Sequence, residues 1–177
     1  MGETEVVYSG ELSAEPQIRR YQKRTGKPML AVLTDNIRSA WNVGSILRSA
    51  DGFGFDHAYL CGISPTPEIE PVRKTSLGAE EYVTWSHHNN AVVLVNGLKK
   101  EGWRILALEE DQRAKKITAY KPTAQNTVLI IGSEVTGVDP ELLKLSDHIL
   151  MIPMRGEKRS FNAANAFAIA AYAMTGR

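Results

Sequence analysis

From Met29 onwards, short apolar runs alternate with longer stretches of helical spacing along this chain. Each run is four or five residues long and is bounded by polar residues, glycine or proline. Runs of this length are typical of strands that are buried on both faces of a sheet. The predicted strands are Met29–Leu33, His57–Leu60, Tyr82–Trp85, Ile105–Leu108, Val128–Ile131 and Ile149–Ile152.

The segments between these strands have the spacing of amphipathic helices. Ser39–Phe53 places four apolar residues on one stripe, and Asp139 followed by Pro140 is typical of a helix start. The predicted helices in these segments are Ser39–Phe53, Asn90–Glu101 and Asp139–Leu145. Alternating strands and helices predict an α/β fold, with an open, mostly parallel sheet and helices on both faces. Ligands of such folds bind beyond the carboxyl ends of the strands.

The last predicted helix, Ala163–Met174, is apolar on all its faces. A helix of this kind must be buried on more than one side. We expect it to pack on its own sheet and also on a second subunit, because its small alanine side chains allow close approach. The alternative is that a single protomer buries the whole helix.

Length, charge and composition exclude several classes of protein. The chain has 177 residues, which suits one domain and is short for two. Its 21 Lys and Arg against 20 Asp and Glu give a net charge of +1, which excludes a uniformly basic, histone-like binder. The longest apolar run, Ala166–Met174, is too short to span a membrane, and the acidic N-terminus does not resemble a secretory signal. The sequence therefore predicts a cytoplasmic protein.

Cysteine and histidine usage gives no sign of a disulfide or a metal site. Cys61 is the one cysteine, and the four histidines lack ligand spacing around a carboxylate or thiol. We expect a reducing compartment and no structural metal.

A cluster of cations marks the N-terminal part of the chain. Arg19, Arg20, Lys23 and Arg24 surround Tyr21, and the cluster ends before a glycine and a proline. We interpret residues 1–28 as a basic arm or short helix that precedes a single domain over residues 29–177.

The helix after the first predicted strand contains the segment Asn42–Ala50. Arg48 lies on the side of this helix opposite its apolar stripe, so it faces away from its own core. One interpretation is a solvated arginine paired with Asp51. The other is a guanidinium at the ligand edge of the sheet, where its planar donor fork suits a phosphate.

Three further segments follow predicted strands. Gly132–Gly137 has two glycines around a polar turn with Glu134 near its centre, and its spacing matches neither a Walker-A loop nor a dinucleotide fingerprint. Ile152–Asn162 ends with Ser160 and Asn162, two good N-cap residues. Together with the cations before them, they exceed what capping requires. The fourth segment is Ala107–Glu109, which precedes a charged loop.

The segments Asn42–Arg48, Gly132–Gly137 and Ile152–Asn162, in this order and spacing, resemble the three motifs of the SpoU (TrmH-like) branch of the SPOUT superfamily of RNA methyltransferases. The resemblance covers Met29 to Arg177. Phe161 departs from the family pattern, which usually has leucine between the serine and the asparagine of the third motif.

The resemblance implies a parallel α/β fold whose C-terminal segment threads a deep trefoil knot. It also implies binding of S-adenosyl-L-methionine, a homodimer formed through the C-terminal helix, and 2′-O-methylation of a ribose in tRNA or rRNA. The adenosine moiety would be held by the backbone of Leu108, Gly132, Ile152 and Phe161, with Ala107 and Glu109 nearby. The implied catalytic residues are Arg48, assisted by Asn42, Glu134, Ser160 and Asn162.

Arginine keeps its proton in proteins, so we expect Arg48 to hold the target phosphate and to favour negative charge that develops on the attacking oxygen. The expected contacts to the RNA backbone are Arg19, Arg20, Lys23 and Arg24 on the arm, and Arg155, Lys158 and Arg159 beside the third motif. Two alternatives stay open at this point. One is a catalytically inactive, knotted RNA-binding protein, and the other is a small-molecule enzyme on an ordinary doubly wound sheet.

Overall fold

The computed structural model describes residues 6–8 and 26–176, and these contain an eight-stranded sheet. The strand order is β1-β4-β3-β2-β7-β5-β8-β6. All described strand pairs are parallel except that of β1 with β4. The strands are Val6–Tyr8 (β1), Leu30–Asp35 (β2), His57–Cys61 (β3), Thr84–His88 (β4), Arg104–Leu108 (β5), Lys115–Lys116 (β6), Thr127–Gly132 (β7) and His148–Met151 (β8).

Helices cover both faces of this sheet. The described helices are Ala40–Gly52 (α1), Glu70–Ser76 (α2), Ala91–Lys100 (α3), Pro140–Leu145 (α4) and Ala163–Thr175 (α5), with 3-10 turns at Ala79–Glu81 and Ile117–Ala119. One core cluster joins α1, α2 and α5 to the sheet, and a second joins α3 and α4 to its other face. The predicted α/β architecture, mostly parallel with helices on both faces, is therefore confirmed.

The predicted strand Tyr82–Trp85 is displaced toward its C-terminal end. A 3-10 turn occupies Ala79–Glu81, and Tyr82 then has a helical backbone conformation and is 77% exposed. The strand accordingly begins at Thr84 and continues to His88. The apolar character of Tyr82 reflects an exposed aromatic side chain and not a buried strand.

Strands β1 and β6 and helix α2 were not predicted. Strands β1 and β6 are three and two residues long and lie at the two edges of the sheet, and the two lysines of β6 are exposed. Helix α2 has seven residues, of which only Val72 and Ser76 are buried. These elements are too short to produce a periodic pattern. The predicted basic cluster of the arm, Arg19 to Arg24, lies outside the described residues.

The C-terminal helix α5 is buried on one side in this protomer. It buries Ala163, Ala164, Phe167, Ala170, Ala171 and Met174. Phe167 packs edge-on against Phe55, and Tyr172 packs similarly against Phe53 at the end of α1. Ile169 and Tyr172 stay 37% and 64% exposed, so the protomer does not cover the whole apolar surface of the helix.

Gly44 allows α1 to approach α2 closely. A Cβ atom at this position would overlap the Thr75 side chain and the carbonyl oxygen of Val72. We therefore expect Gly44→Ala to lower the free energy of unfolding by about 1–3 kcal/mol through overpacking, although alanine is the better helix former. The matched control is Gly97→Ala in α3, where no atom outside the neighbouring helix backbone lies within 4 Å of the added Cβ. This control is expected to gain about 0.5–1 kcal/mol. Urea unfolding of both variants measures the difference, and equal effects would contradict this role of Gly44.

A chain of buried histidines connects β3 to β4. The ring nitrogens of His57 form hydrogen bonds with the hydroxyls of Thr84 and Ser86, at 2.7 and 2.9 Å. The Ser86 hydroxyl also forms a 2.9 Å hydrogen bond with His88 Nε2. Burial, with His88 nearby, lowers the pKa of His57 to about 3, and burial, with His87 nearby, lowers the pKa of His88 to about 4.

These histidines are expected to make the protein sensitive to acid. Because both pKa values are lower in the folded state, the unfolded chain binds more protons and stability falls as the pH drops from about 6.5 toward 4. At pH 5 the loss from each of the two histidines is on the order of 2 kcal/mol, because both folded-state pKa values lie well below that pH. Urea unfolding between pH 7.5 and pH 5 measures this dependence. His57→Gln should flatten it, and an unchanged slope in that variant would assign the acid sensitivity to other groups.

Candidate functional site

A cavity of about 610 Å³ opens at the carboxyl ends of β5, β7 and β8. Its wall is formed by the segments that follow these strands, namely residues 108–110, 131–137 and 151–163 in part. The site therefore lies where a parallel sheet presents its loops. Leu108, Ile152 and Phe161 contribute apolar surface, and Glu109 and Glu134 contribute carboxylates.

Most of the residues expected to hold the adenosine moiety line this cavity. They are Leu108, Glu109, Gly132, Ile152 and Phe161. Ala107 is the exception, because it is fully buried inside β5 and does not reach the cavity wall. Their cofactor roles stay predictions.

Gly132 brings two parts of the cavity wall into direct contact. A Cβ atom here would overlap the backbone of Gly137 and Val138. The loop between them is closed by reciprocal hydrogen bonds between the backbones of Ser133 and Gly137, at 3.1 and 2.9 Å. Gly137 has a φ of +71°, which favours glycine. Both glycines of the second motif thus serve a compact turn.

Side chains of the three motif segments form a continuous hydrogen-bonded chain, which we call the motif relay: Glu134, Asn42 and Asn162. The amide nitrogen of Asn42 donates to Glu134 Oε1. The amide nitrogen of Asn162 donates to Asn42 Oδ1 at 3.0 Å. Residues up to 120 positions apart in sequence therefore meet at one place.

Asn162 also caps helix α5. Its Oδ1 accepts hydrogen bonds from the backbone N–H groups of Ala164 and Asn165, at 3.0 and 3.3 Å. The cap and the relay use different atoms of one amide, so the two roles are compatible. Ser160 lines the cavity and forms no hydrogen bond with any residue of the described chain. Its hydroxyl is therefore not used as a helix cap.

Arg48 is exposed on α1 and forms no hydrogen bond with the residues of the motif relay. It forms no hydrogen bond or ion pair within residues 26–176, and the expected pair with Asp51 is not formed there. It does not line the cavity of its own protomer. The structure thus joins Asn42, Glu134 and Asn162 by hydrogen bonds and places Ser160 at the cavity, and the role of Arg48 stays a prediction.

Two of the three cations of the third motif line the cavity. Lys158 and Arg159 line it, and Arg155 is exposed close by in sequence. None of the three forms an ion pair within the part of the chain that the structure describes. The four cations predicted on the arm are outside the described residues. In residues 26–176, no three His, Cys, Asp or Glu side chains come close enough to hold a metal ion.

Sequence reasoning missed Asp35, which ends β2 and is only 4% exposed. Its Oδ2 accepts the backbone N–H of Asp139, and its Oδ1 accepts the amide of Asn36, both at 2.9 Å. Burial raises the pKa of this carboxyl, and the hydrogen bond from Asp139 opposes that shift. The available signal was an acidic residue two positions after the predicted strand Met29–Leu33, at the edge where ligands bind.

Known proteins with similar sequences and folds share this architecture. The sequence is 32% identical over 160 residues to the tRNA (guanosine(18)-2′-O)-methyltransferase of Thermus thermophilus, covering 88% of this chain and 79% of that protein. A TrmH-family protein from Porphyromonas gingivalis superposes with a TM-score of 0.76 at 28% identity, covering 84% of this chain and 59% of that one.

The SpoU methyltransferase AviRb of Streptomyces viridochromogenes superposes with a TM-score of 0.75 at 25% identity, covering 83% of this chain and 58% of that one. This chain therefore spans less than two thirds of the length of either solved structure. In the described residues, no helix is both long and apolar enough to cross a bilayer. The profile of the SpoU rRNA Methylase family matches residues 29–172. By this match and the identity to the Thermus protein, the chain belongs to the SpoU rRNA methylase family.

Proposed function

We propose that this protein transfers a methyl group from S-adenosyl-L-methionine to the 2′-hydroxyl of a ribose in tRNA or rRNA. The observation that carries the proposal is the motif relay, which unites Glu134, Asn42 and Asn162 beside one cavity. A small-molecule enzyme on an ordinary doubly wound sheet would not require these three motif residues to meet. The name of the Thermus relative, a tRNA 2′-O-methyltransferase, supports the same reaction.

The cavity fits the proposed cofactor. Its volume of about 610 Å³ lies within the range of small-molecule sites. The apolar side chains of Leu108, Ile152 and Phe161 suit an adenine ring, and backbone at Gly132 is accessible beside them. The AviRb protein has also been solved in complex with AdoMet. When bound, S-adenosylmethionine supplies a methyl group activated by its positive sulfur.

Residues of this chain would position the ribose hydroxyl for in-line attack. Glu134 uses one carboxylate oxygen in the relay, and its other oxygen has no hydrogen bond with a described residue. That oxygen and the Ser160 hydroxyl can each form a hydrogen bond with the ribose. Asn42 fixes the Glu134 carboxylate, and Asn162 fixes Asn42. The site thus orients an otherwise weak nucleophile.

We assign Arg48 to the phosphate beside the target ribose. Its guanidinium is exposed and has no partner among the described residues, so its full donor fork is available to a phosphate. Lys158 and Arg159 at the cavity and Arg155 next to them are proposed as further contacts to the RNA backbone. The arm cations Arg19, Arg20, Lys23 and Arg24 belong to the same proposal. We also propose the cytoplasm as the place of this reaction, and residues 29–177 as the catalytic domain.

We further propose a homodimer through α5 and a knotted C-terminal segment. The exposed Ile169 and Tyr172 on α5, with the 58% exposed Trp41 on α1, supply apolar surface for a second copy. The segment 152–162 leads from β8 to α5, which packs on α1 on the same face of the sheet. Light scattering after gel filtration tests the dimer. Mechanical stretching from both ends tests the knot, because a knotted chain extends to less than its full contour length.

Methyl transfer is tested with purified protein, S-adenosylmethionine carrying an isotopically labelled methyl group, and tRNA or rRNA from cells that lack the gene. Mass spectrometry of the digested RNA is expected to show one labelled 2′-O-methylnucleoside. Calorimetry of cofactor binding is the accompanying measurement. RNA binding without any binding of S-adenosylmethionine would favour the inactive, knotted RNA-binding protein instead.

A further inference from the structure

The loop after β7, residues 133–139, is held from both sides by carboxylates that belong to neighbouring strands. We propose that Asp35 and Glu109 form a carboxylate clamp on two consecutive backbone N–H groups, those of Val138 and Asp139, and thereby position this loop for cofactor binding. Both are positioning residues, because they act through the loop. The proposal rests on the proposed function and assigns a task to two side chains outside the motif relay.

Glu109 forms one arm of the clamp. Its Oε2 accepts the N–H of Val138 at 2.9 Å, and its Oε1 accepts the N–H of Glu110 at 3.0 Å. Although Glu109 lines the cavity, both of its oxygens are therefore already bonded to backbone. A Cβ atom at Gly137 would overlap its carboxylate, so the glycine is needed for this approach.

Asp35 forms the other arm. Its two oxygens accept the N–H of Asp139 and the side-chain amide of Asn36. No Lys or Arg forms an ion pair with it among the described residues. Burying a carboxylate without a cation is costly, and hydrogen bonds are what compensates it. The hydrogen bond from the N–H of Asp139 thus offsets part of the free-energy cost of burying the Asp35 carboxylate.

The sheet order explains why the two arms act together. Strand β7 lies between β2 and β5, and the clamp residues stand at the ends of those two neighbours. The loop that leaves β7 is consequently fixed on both sides. Its first half, closed by the Ser133–Gly137 hydrogen bonds, forms the cavity wall that includes Gly132 and Glu134. The hydrogen bonds to the N–H groups of residues 138 and 139 therefore also fix the position of this part of the cavity wall.

Simple helix capping does not account for these contacts. Helix α4 begins at Pro140, and its cap is the Asp139 side chain, which accepts the N–H of Glu141 at 2.7 Å. The amides of Val138 and Asp139 precede the helix. If the two residues had a purely structural role, loss of either one would lower the melting temperature. The fraction of the variant that is folded would then bind S-adenosylmethionine with unchanged affinity.

The test uses the full chain with Glu109→Ala, Asp35→Ala and the conservative Glu109→Gln, which keeps one acceptor oxygen. We expect each alanine variant to bind S-adenosylmethionine about tenfold more weakly by calorimetry. Glu109→Gln should recover part of the affinity. Glu101→Ala, which removes an exposed carboxylate at the end of α3, is the control and should bind as the wild type does.

Amide hydrogen exchange by NMR, without cofactor or RNA, reads the clamp directly. We expect faster exchange at Val138 in Glu109→Ala and at Asp139 in Asp35→Ala. Unchanged exchange at both amides overturns the clamp, whether or not the wild type binds S-adenosylmethionine. A wild type that binds no S-adenosylmethionine rejects the proposed function, but does not by itself reject the clamp. Unchanged cofactor affinity in folded variants overturns the positioning role. Should Asp35→Ala fail to fold, the two Glu109 variants decide.

Discussion

Arg48→Ala is expected to lower the rate of methyl transfer to RNA by about 10²–10³-fold, the usual loss when one donor to developing charge is removed. The melting temperature and the affinity for S-adenosylmethionine should stay at wild-type values. The physical reason is that Arg48 is exposed, has no partner in residues 26–176 and does not line the cavity. Single-turnover transfer of labelled methyl groups to RNA measures the rate, and calorimetry measures cofactor binding.

Two further variants distinguish the hydrogen-bonding geometry of the Arg48 guanidinium from its positive charge. Arg48→Lys keeps the positive charge but loses the planar donor fork, so we expect it to recover little of the rate. Lys100→Ala removes one cation from the end of α3, on the other face of the sheet, and should change the rate little. Near-normal turnover in Arg48→Ala would remove this residue from the mechanism, and an equal loss in Lys100→Ala would indicate general electrostatics.

Asn162→Asp is expected to reduce methyl transfer by about 10²-fold while the protein keeps its stability. Aspartate retains the oxygen that caps α5, and a carboxylate is favourable at a helix N-terminus. It lacks the N–H that Asn162 donates to Asn42, and its charge faces the Asn42 oxygen. Asn42 would then no longer hold Glu134 in its present orientation. Turnover and thermal unfolding measure the two effects independently.

Asn162→Ala is the matching comparison, because it removes the cap and the relay together. We expect the same loss of turnover and, in addition, a loss of about 1 kcal/mol of stability from the missing cap. Should Asn162→Asp turn over RNA as fast as the wild type, Asn162 would be a helix cap alone. The motif relay would then end at Asn42.

The core of the fold could be predicted from the sequence because its strands are buried on both faces. Four apolar residues from Ile105 to Leu108, and similarly from Val128 to Ile131, leave little choice of secondary structure. The edge strand β6 consists of two lysines and is exposed, so no burial pattern marks it. Tyr82 is the opposite case, because an exposed aromatic residue two positions before β4 has the apolar character of a strand residue.

The site was predicted less completely, for a different physical reason. Local patterns identify Asn162 as a helix cap, but its contact with Asn42 depends on how the chain returns to the sheet. The hydrogen bonds of Glu109 and Asp35 could not be predicted from the sequence either. Both carboxylates accept backbone N–H groups, which almost any residue could supply. For Arg48 only the exposure follows from the helix pattern, because the proposed contact with RNA depends on a partner molecule.

The position of β7 has a consequence for synthesis on the ribosome. Strand β2 begins at Leu30, and the partner that covers its second edge begins at Thr127, so the nascent chain must grow by nearly a hundred residues before this pair forms. Until then, Leu30–Asp35 presents an unpaired, apolar edge to other nascent chains. We therefore expect translation speed across that interval, and chaperones that shield the exposed edge, to affect the yield of folded protein more than in folds whose central strands are neighbours in sequence.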